Sequence, residues 1–348
     1  MLSYNKHNTA YAEFNEVVHQ NKYSSILLLC DSNTEKYCLP EFLEKSGFDK
    51  EQLYVLKINP GEQEKTIETA IDLWRSLLDR DIDRNALLIN LGGGVITDLG
   101  GFVASVFKRG ISYINVPTTL LAMVDASSGG KTGIDFGGLK NAIGTFKDPV
   151  LTIIDTNYLH TLELKEKLNG YAEMLKHGLI ADKIHWKELS GKSLNEIGYP
   201  EIEHSVNIKL NIVKEDPLEK GRRKLLNFGH TIGHAIEAFF IESEKKISIK
   251  HGEAVAAGLV VESFLSHQLG YLTRDEFDEI LHLLLGKYGK IRFKESELPS
   301  IFKHLTNDKK NLKNKILFTL ISAIGCGIYN IEVEKGLIFD SLAYYSDQ

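Results

Sequence analysis

The stretch ALLINLGGGVITDLGG, residues Ala86 to Gly101, joins an apolar run to three glycines and then to a helix-like segment. A short apolar run is typical of a buried strand, and glycines at its end let backbone amides approach a ligand closely. The N-terminus of the helix that follows favours an anionic group such as a pyrophosphate. The stretch therefore predicts a strand, a turn and a helix, with a dinucleotide or phosphate site at the turn.

The glycine pattern differs from the usual dinucleotide fingerprint, G-x-G-x-x-G. Asp98 also lies too close to the glycines to be the distal acid that binds the ribose in that motif. A tight strand-to-helix turn that holds no ligand would have the same glycines. Other residues must therefore identify the ligand.

Similar apolar runs lie on both sides of this stretch, and amphipathic segments separate them. The runs are Ser25–Leu29, Leu53–Ile58, Ala86–Asn90, Ile111–Val116 and Leu151–Asp155. Between two of them, Glu64–Leu78 has apolar residues at a helical period. This alternation predicts a mostly parallel sheet with helices on both faces.

The hydrophobic pattern of the sequence changes from about Leu162 onward, where long amphipathic stretches replace the short apolar runs. Strand-like pieces remain only at Lys315–Leu320 and Ile328–Ile331. We therefore predict an α/β domain over residues 1–160 and an α-helical domain over residues 161–348.

The composition is that of a folded globular protein, with 348 residues, 43% of them hydrophobic and 25% charged. With a formal net charge of −6, the chain has no overall positive charge to attract the backbone of a nucleic acid. Cys30, Cys38 and Cys326 form no CxxC pair, which fits a reducing compartment. There is no leader-like N-terminus and no apolar stretch near the ~18 residues of a membrane span, so we expect a cytoplasmic protein without membrane association.

A polar, glycine-rich span follows the first glycine cluster. It reads VPTTLLAMVDASSGGKTGIDFGGLKNAIGTF, residues Val116 to Phe146, and includes Asp125, Lys131, Lys140 and Asn141. The small polar residues leave few side chains for a core, so we expect a loop-rich segment. Its lysines suggest a second surface that binds an anionic ligand, although a solvated loop would have a similar composition.

The segment GRRKLLNFGHTIGHAIE, residues Gly221 to Glu237, places His230 and His234 four residues apart. This spacing puts two imidazoles on one helical face, where both can bind the same metal ion. The metalloprotease motif HExxH is excluded because Thr231 follows His230.

A third histidine, His251, and a carboxylate, Glu173, could complete a site with three protein ligands and one open position, as in catalytic zinc centres. The spacing alone does not choose between these residues and Glu253 or His177. The metal ligands therefore stay open at this point.

The chain resembles the 3-dehydroquinate synthase family in a series of motifs that occur in the family's order. They are PGEQEK, GGGVITDLGGF, VPTTLLAMVDASSGGKTGID, LNGYAEMLKHG, GRRKLLNFGHTIGHAIE, HGEAVAAG and DKKN, between about Gly61 and Leu320. The resemblance implies a Rossmann-like N-terminal domain, an α-helical C-terminal domain, a homodimer, bound NAD, and a divalent metal, Zn²⁺ or Co²⁺.

The resemblance also implies roles for particular residues. The metal ligands are expected at Glu173, His230 and His251. The NAD contacts are expected at Glu62, Lys65, Gly94, Val95, Asp98, Thr118, Thr119, Lys131 and Lys140. The substrate and catalytic contacts are expected at Asp125, Lys131, Asn141, Lys176, Lys209, Arg223, Asn227, His234 and one of Lys309 and Lys310. Arg109 is expected to reach the substrate phosphate in the neighbouring subunit.

The activity implied is conversion of 3-deoxy-D-arabino-heptulosonate 7-phosphate to 3-dehydroquinate and phosphate, a step of the shikimate pathway of aromatic amino-acid biosynthesis. Transient oxidation by NAD would acidify a C–H bond and allow β-elimination of phosphate, and reduction and an intramolecular aldol would follow. NAD would thus be regenerated in every turnover.

Three other functions remain as alternatives. Another sugar-phosphate cyclase, such as 2-deoxy-scyllo-inosose synthase, would act on a substrate without a carboxylate, whereas Lys209, Arg223 and Asn227 together favour a substrate with both a carboxylate and a phosphate. A metal-dependent polyol dehydrogenase would release NADH stoichiometrically. A nucleotide-binding regulatory module would not need the histidines, carboxylates and lysines.

Overall fold

The computed structural model describes residues 2–4, 9–127, 129–137, 139–242, 249–306 and 316–348. The chain divides into two compact units, Met1–Lys167 and Leu168–Gln348. The domain boundary predicted from the sequence lies a few residues earlier. The assignment of separate functions to residues 1–160 and 161–348 stays a proposal. No helix among the described residues has both the length and the apolar character needed to cross a membrane.

The first unit contains a parallel sheet. Among the described residues, its strands lie in the order β1-β8-β5-β4-β2-β3. Their bounds are β1 Leu2–Tyr4, β2 Ile26–Asp31, β3 Tyr54–Ile58, β4 Leu87–Gly92, β5 Ser112–Pro117 and β8 Leu151–Ile154. The five apolar runs that predict strands all form strands of this sheet, while β1 has no sequence signal of its own. Every residue of β4 is buried, as expected for a central strand covered on both faces.

Helices and a hairpin complete the first unit. The helices are α1 Thr9–Asn21, α2 Ser32–Tyr37, α3 Leu39–Ser46, α4 Ile67–Leu78 and α5 Gly94–Val106. The prediction of a helix between β3 and β4 is confirmed, beginning at Ile67 because Thr66 accepts a hydrogen bond from the Thr69 amide as the N-cap. Short 3₁₀ turns occur at Lys50–Gln52, Glu62–Glu64, Phe107–Arg109 and Thr156–His160.

The span after β5 is more ordered than its composition suggests. The loop-rich prediction for Val116–Phe146 is wrong in part, because β6 (Lys131–Phe136) and β7 (Leu139–Phe146) form an antiparallel hairpin, preceded by a π-helical turn at Ala122–Ala126. The Thr132 and Thr145 hydroxyls lie 2.7 Å apart across the hairpin. Gly133 pairs with Gly144, where a Cβ on either residue would meet the facing backbone.

The sheet order has a reversal next to β4. From β2, the chain continues to β3 on one side and later returns to β4 on the other. In open parallel sheets, ligands bind beside the carboxyl ends of the strands at such a reversal. The carboxyl end of β4 is Gly92, at the glycine cluster from which the sequence predicts a phosphate site.

The second unit is mostly helical. Its helices are α6 Leu164–Ala181, α7 Lys183–Ser190, α8 Tyr199–Glu215, α9 His230–Glu242, α10 His251–Gln268, α11 Arg274–Tyr288, α12 Leu298–Thr306 and α13 Lys335–Asp347. An antiparallel pair of strands, β9 Leu317–Ala323 and β10 Cys326–Glu332, accounts for the strand-like pieces near the C-terminus. Short 3₁₀ turns lie at Leu194–Glu196, Arg222–Asn227 and Glu295–Glu297.

Candidate active site

The turn between β4 and α5 leaves backbone amides available to an anion. Gly93 is the N-cap of α5 and has no side chain with which to cap the helix. A Cβ at Gly93 would lie 3.0 Å from Cγ2 of Thr119, and one at Gly94 would lie 3.4 Å from Cβ of Ala126. The glycines therefore keep open a narrow passage to the first amides of the helix, where the helix dipole favours negative charge.

Lys65 and Asp98 form an ion pair beside this turn. Lys65 Nζ lies 2.6 Å from Asp98 Oδ2, and Lys65 is 4% exposed. Burial alone would lower the pKa of Lys65, but the Asp98 carboxylate raises it, so the ammonium stays charged. The pair joins the segment between the turn Glu62–Glu64 and α4 to the start of α5.

The other predicted NAD contacts of this unit lie on several segments. Glu62 Oε1 is 3.8 Å from Lys140 Nζ. The Thr118 amide donates to the Gly92 carbonyl at 3.0 Å, and the Thr119 hydroxyl accepts a hydrogen bond from the Ala122 amide at 3.2 Å. Val95 packs against the core of this unit.

Asp135 belongs to the same region, although the sequence gives no reason to select it. Its carboxylate accepts a hydrogen bond from the Asn141 amide at 2.7 Å, and its own amide donates to the Lys65 carbonyl at 2.8 Å. The bond to its amide helps to hold Asn141 in the left-handed region, where its φ is 49°. Asp135 thus ties the hairpin to the lysine of the PGEQEK motif.

The remaining predicted residues of this unit lie at the edges of the hairpin and of α5. Asp125 is in the π-helical turn, and Lys131 is the exposed first residue of β6. Arg109 is exposed and has a φ of 70° at the end of the turn that follows α5. Its predicted role involves a second subunit and stays a prediction.

Glu173 and two histidines meet in the second unit. Glu173, on α6, is fully buried. Its Oε1 lies 3.3 Å from Nε2 of His230 and 3.6 Å from Nε2 of His251. Ligands about 2.1 Å from a tetrahedral zinc ion lie about 3.4 Å from one another. The two separations from Glu173 Oε1, to side chains of α9 and α10, thus suit ligands of one metal ion.

The hydrogen bonds around this cluster also suit a cation. Among the described residues, Glu173 Oε1 is buried without a hydrogen-bond partner, while Oε2 contacts Lys176 Nζ. The nitrogens that face Oε1 are the Nε2 atoms of His230 and His251, at ion-pair distances. A buried carboxylate oxygen without a hydrogen bond costs free energy, and a metal ion bound at that oxygen removes the cost.

The far nitrogens of both histidines have acceptors. His230 Nδ1 lies 3.1 Å from the Phe228 carbonyl, and His251 Nδ1 lies 3.5 Å from Glu237 Oε2. A proton on each Nδ1 leaves the Nε2 lone pairs for a metal, which is the usual arrangement around ligating histidines. The sequence does not single out Glu237, because its partner lies on a different helix.

The charges of the cluster are set by burial and by its neighbours. Burial alone would raise the pKa of Glu173, but Lys176 and His230 lower it well below its usual value of 4.5, so the carboxylate is ionised. Burial lowers the pKa of His230, and Lys176 adds to the effect. Burial alone would lower the pKa of His251, but the Glu173 and Glu237 carboxylates raise it to about 9. The pocket therefore favours positive charge, and a metal bound there would displace the proton of His251.

His234 lies beside the cluster and is exposed. Its ring centroid is 5.2 Å from that of His230 and 5.8 Å from that of His251. Ligand atoms of these three histidines lie within 4.8 Å of one another, so His234 could replace Glu173 in a ligand set. Glu173 is the better ligand, because it is anionic and buried and because its Oε1 faces Nε2 of both His230 and His251.

The two other candidate ligands have different contacts. Glu253 accepts a hydrogen bond from the Lys250 amide at 2.7 Å and so caps the N-terminus of α10. His177 Nδ1 lies 2.8 Å from the Ser205 hydroxyl on α8. Both contacts hold helices in place.

Three predicted substrate residues lie on α8 and on the turn before α9. Lys209 and Arg223 are 5% and 3% exposed, so two cations lie inside the unit. Arg223 donates from Nη1 to the Pro217 carbonyl at 2.7 Å, and Asn227 donates from Nδ2 to Glu219 at 2.8 Å. Lys309 and Lys310 lie outside the described residues.

The fold and the cluster define a class of protein: an enzyme with a Rossmann-like unit and a helical unit that carries a candidate metal centre. The fold of 2-epi-5-epi-valiolone synthase from Streptomyces hygroscopicus, solved with NAD⁺ and Zn²⁺, is similar, with a TM-score of 0.85, 24% identity, and coverage of 100% of this chain and 96% of that one. A 2-deoxy-scyllo-inosose synthase solved with carbaglucose-6-phosphate, NAD⁺ and Co²⁺ gives a TM-score of 0.83 and 24% identity over 97% and 95% of the two chains.

Sequence comparison identifies the family. The model described as 3-dehydroquinate synthase N-terminal matches residues 55–169, and the one described as 3-dehydroquinate synthase C-terminal matches residues 170–311. A 3-dehydroquinate synthase from Parabacteroides distasonis is 39% identical over 340 residues, which cover 97% of this chain and 95% of that protein. The chain belongs to the 3-dehydroquinate synthase family, and the predicted family and fold class are confirmed.

Proposed function

We propose that this protein is a 3-dehydroquinate synthase, a lyase that converts 3-deoxy-D-arabino-heptulosonate 7-phosphate to 3-dehydroquinate and phosphate with NAD and a divalent metal, Zn²⁺ or Co²⁺. The observation that carries the proposal is the convergence of His230 and His251 on one buried oxygen of the Glu173 carboxylate. The relatives of the same name, similar over nearly the whole chain, give the reaction. The proposal includes a homodimer located in the cytoplasm.

The metal would be held by Glu173, His230 and His251. When bound, it supplies Lewis-acid chemistry that lowers the pKa of a substrate hydroxyl. Lys176 keeps the Glu173 carboxylate ionised and oriented through Oε2. Glu237 and the Phe228 carbonyl hold the imidazoles in the tautomers that ligation requires.

NAD would be held at the carboxyl end of β4. It supplies a hydride acceptor that is restored within each turnover. The amides at the start of α5 suit its pyrophosphate, and the buried Lys65–Asp98 pair fixes charged groups beside them. Glu62, Thr118, Thr119, Lys131 and Lys140 are the further contacts we propose, together with Gly94 and Val95.

The substrate carries a carboxylate and a phosphate, and the chain supplies buried cations for two anions. Arg223 offers a planar fork, while Lys176 and Lys209 are point charges. We propose that these residues, with Asp125, Lys131, Asn141, Asn227, His234 and one of Lys309 and Lys310, bind the substrate. His234 can move a proton at a ring nitrogen next to the buried imidazoles.

Phosphate release tests this function. The full-length protein is incubated with 3-deoxy-D-arabino-heptulosonate 7-phosphate, with and without NAD and a metal chelator, and glucose 6-phosphate is assayed in parallel. We expect release from the heptulosonate phosphate to require both NAD and metal, without net accumulation of NADH. Release from glucose 6-phosphate alone would indicate a different sugar-phosphate cyclase, and stoichiometric NADH would indicate a dehydrogenase.

A further inference from the structure

A second group of potential metal ligands lies in the helical unit, between α7 and α8. His185 and Glu188 are on α7, and His204 is on α8. One potential ligand atom from each residue lies within 4.8 Å of the other two. None of these residues belongs to the Glu173 cluster, and the proposed reaction does not use them.

His185 is the least satisfied member of this group. Its side chain is fully buried, and among the described residues neither ring nitrogen has a hydrogen-bond partner. A buried imidazole without hydrogen bonds is costly, because both nitrogens lose the water that they would bind in the unfolded chain. A neutral imidazole has one ring nitrogen whose lone pair can bind a metal ion.

His204 is oriented as a ligating histidine would be. Its Nε2 lies 2.9 Å from Asp182 Oδ2, which fixes the proton on that nitrogen. The other nitrogen, Nδ1, faces Glu188 Oε2 at 3.9 Å. Asp182 also caps α7 through Oδ1, which accepts from the amides of Ile184 and His185. A carboxylate behind a histidine is the common outer contact of zinc sites.

Packing alone does not account for the arrangement. The ring centroids of His185 and His204 lie 4.3 Å apart at an interplanar angle of 42°, so the tilted rings are in contact. Such a contact buries ring surface but provides no hydrogen-bond partner for the ring nitrogens of His185. A cation between the two rings and Glu188 would provide one.

We propose that His185, Glu188 and His204 form a second metal site, which takes a divalent transition metal of the zinc class and clamps α7 to α8. Two imidazoles and one carboxylate are the ligand types that zinc prefers. The side chains of Glu188 and His204 are 50% and 34% exposed, so a fourth position faces water. The exposed Glu188 can rotate to shorten the 3.9 Å separation to the distance that a shared ion requires.

The test measures zinc and cobalt bound to the full-length protein after equilibration and removal of free metal. We expect wild type to bind one ion at each cluster. His204→Gln should lose one ion and keep phosphate release unchanged, whereas His230→Gln should lose the other ion together with phosphate release. His282→Gln is the matched control, because it removes an exposed imidazole from α11 and should keep both ions.

Cobalt absorption separates the two sites. In the His230→Gln protein, the d–d bands of Co²⁺ report the second cluster alone, and they should vanish when His204→Gln is added. Glu188→Gln changes a half-exposed side chain and serves if His204→Gln does not fold; it should weaken binding at the second cluster only. The proposal is wrong if the His230→Gln protein binds no cobalt, or if His204→Gln and Glu188→Gln both retain the metal content of wild type.

Discussion

Glu173 uses its two oxygens differently, and this division explains why one carboxylate can serve a metal inside a protein. Oε2 contacts the Lys176 ammonium, which keeps the group ionised despite burial. Oε1 faces the two imidazoles. Removing either partner of a buried pair leaves an uncompensated charge, so Lys176 contributes to the cluster without being a ligand.

Substitution of single histidines distinguishes the two possible ligand sets. We expect His230→Gln to abolish tight zinc binding at the Glu173 cluster and to reduce phosphate release by about a hundredfold or more, because it removes a buried ligand with a fixed tautomer. His234→Gln should retain zinc and reduce phosphate release. Metal content and phosphate release of the two purified variants provide the measurement. Loss of zinc from the His234→Gln protein as well as from the His230→Gln protein would favour the set of three histidines.

Glu237 provides a test one contact further from the metal. Its carboxylate lies behind His251 and holds the Nδ1 proton. Glu237→Gln keeps the size of the side chain but weakens that hold, so we expect zinc affinity to fall by about 10- to 100-fold. Competition against a chromogenic chelator measures the change. An affinity equal to that of wild type would show that Glu237 does not orient His251.

At the level of elements, α10 fixes the position of α9 and therefore of His230. Glu262 on α10 is fully buried and accepts hydrogen bonds from the amides of Gly229 and Ile232, at 2.6 Å and 3.0 Å. A carboxylate on another helix thus satisfies backbone amides at the N-terminus of α9 that have no acceptor within the helix. A cap supplied from another helix sets both the start of α9 and its orientation.

The close contact of these two helices depends on glycine. A Cβ at Gly258 would lie 1.9 Å from the Gly229 carbonyl oxygen, a backbone atom that cannot move away cheaply. We expect Gly258→Ala to destabilise the protein by about 3 kcal/mol and to weaken zinc binding, since α10 must shift away from the loop before His230. Urea unfolding and metal content measure the two effects.

Gly286→Ala is the matched control for that substitution. Gly286 lies within α11, and a Cβ there would meet nothing within 4 Å. Alanine at this position should stabilise the protein by up to about 1 kcal/mol through helix propensity. Equal stability of the two variants would show that the contact between α9 and α10 tolerates a methyl group.

Elements with a local signal could be predicted from the sequence, and those that depend on distant partners could not. Apolar runs of the sequence coincide with five strands, β2, β3, β4, β5 and β8. The positions of these strands along the chain therefore follow from the sequence. The hairpin β6–β7 has exposed residues at most positions of β7 and therefore no alternation to detect. Glu262, Glu237 and Asp135 act on residues far away in the chain, and nothing in their local sequence marks them.

Across the whole molecule, net charge is a poor guide to the charges that a substrate meets. The chain has a formal charge of −6, yet Lys65, Lys176, Lys209 and Arg223 are all at least nine-tenths buried. Lys65, Lys176 and Arg223 lie in motifs that carry the family resemblance, whereas Lys209 lies between two of those motifs. Among the described residues most carboxylates are not buried, and salt screens charges at the surface. The buried cations interact more strongly with an anionic ligand because they are poorly screened.

The two units should respond to different ligands. A ligand that binds the folded chain at about 100 times its dissociation constant stabilises the binding region by about 2.7 kcal/mol, which slows amide exchange there by about a hundredfold. We therefore expect zinc to slow exchange in α9 and α10, and NAD to slow exchange at the end of β4 and the start of α5. Hydrogen exchange of the full-length protein with each ligand alone measures this. His230→Gln should remove the effect of zinc on α9 and α10 while leaving that of NAD, and slowed exchange by NAD solely in residues 168–348 would contradict the placement of the dinucleotide at β4.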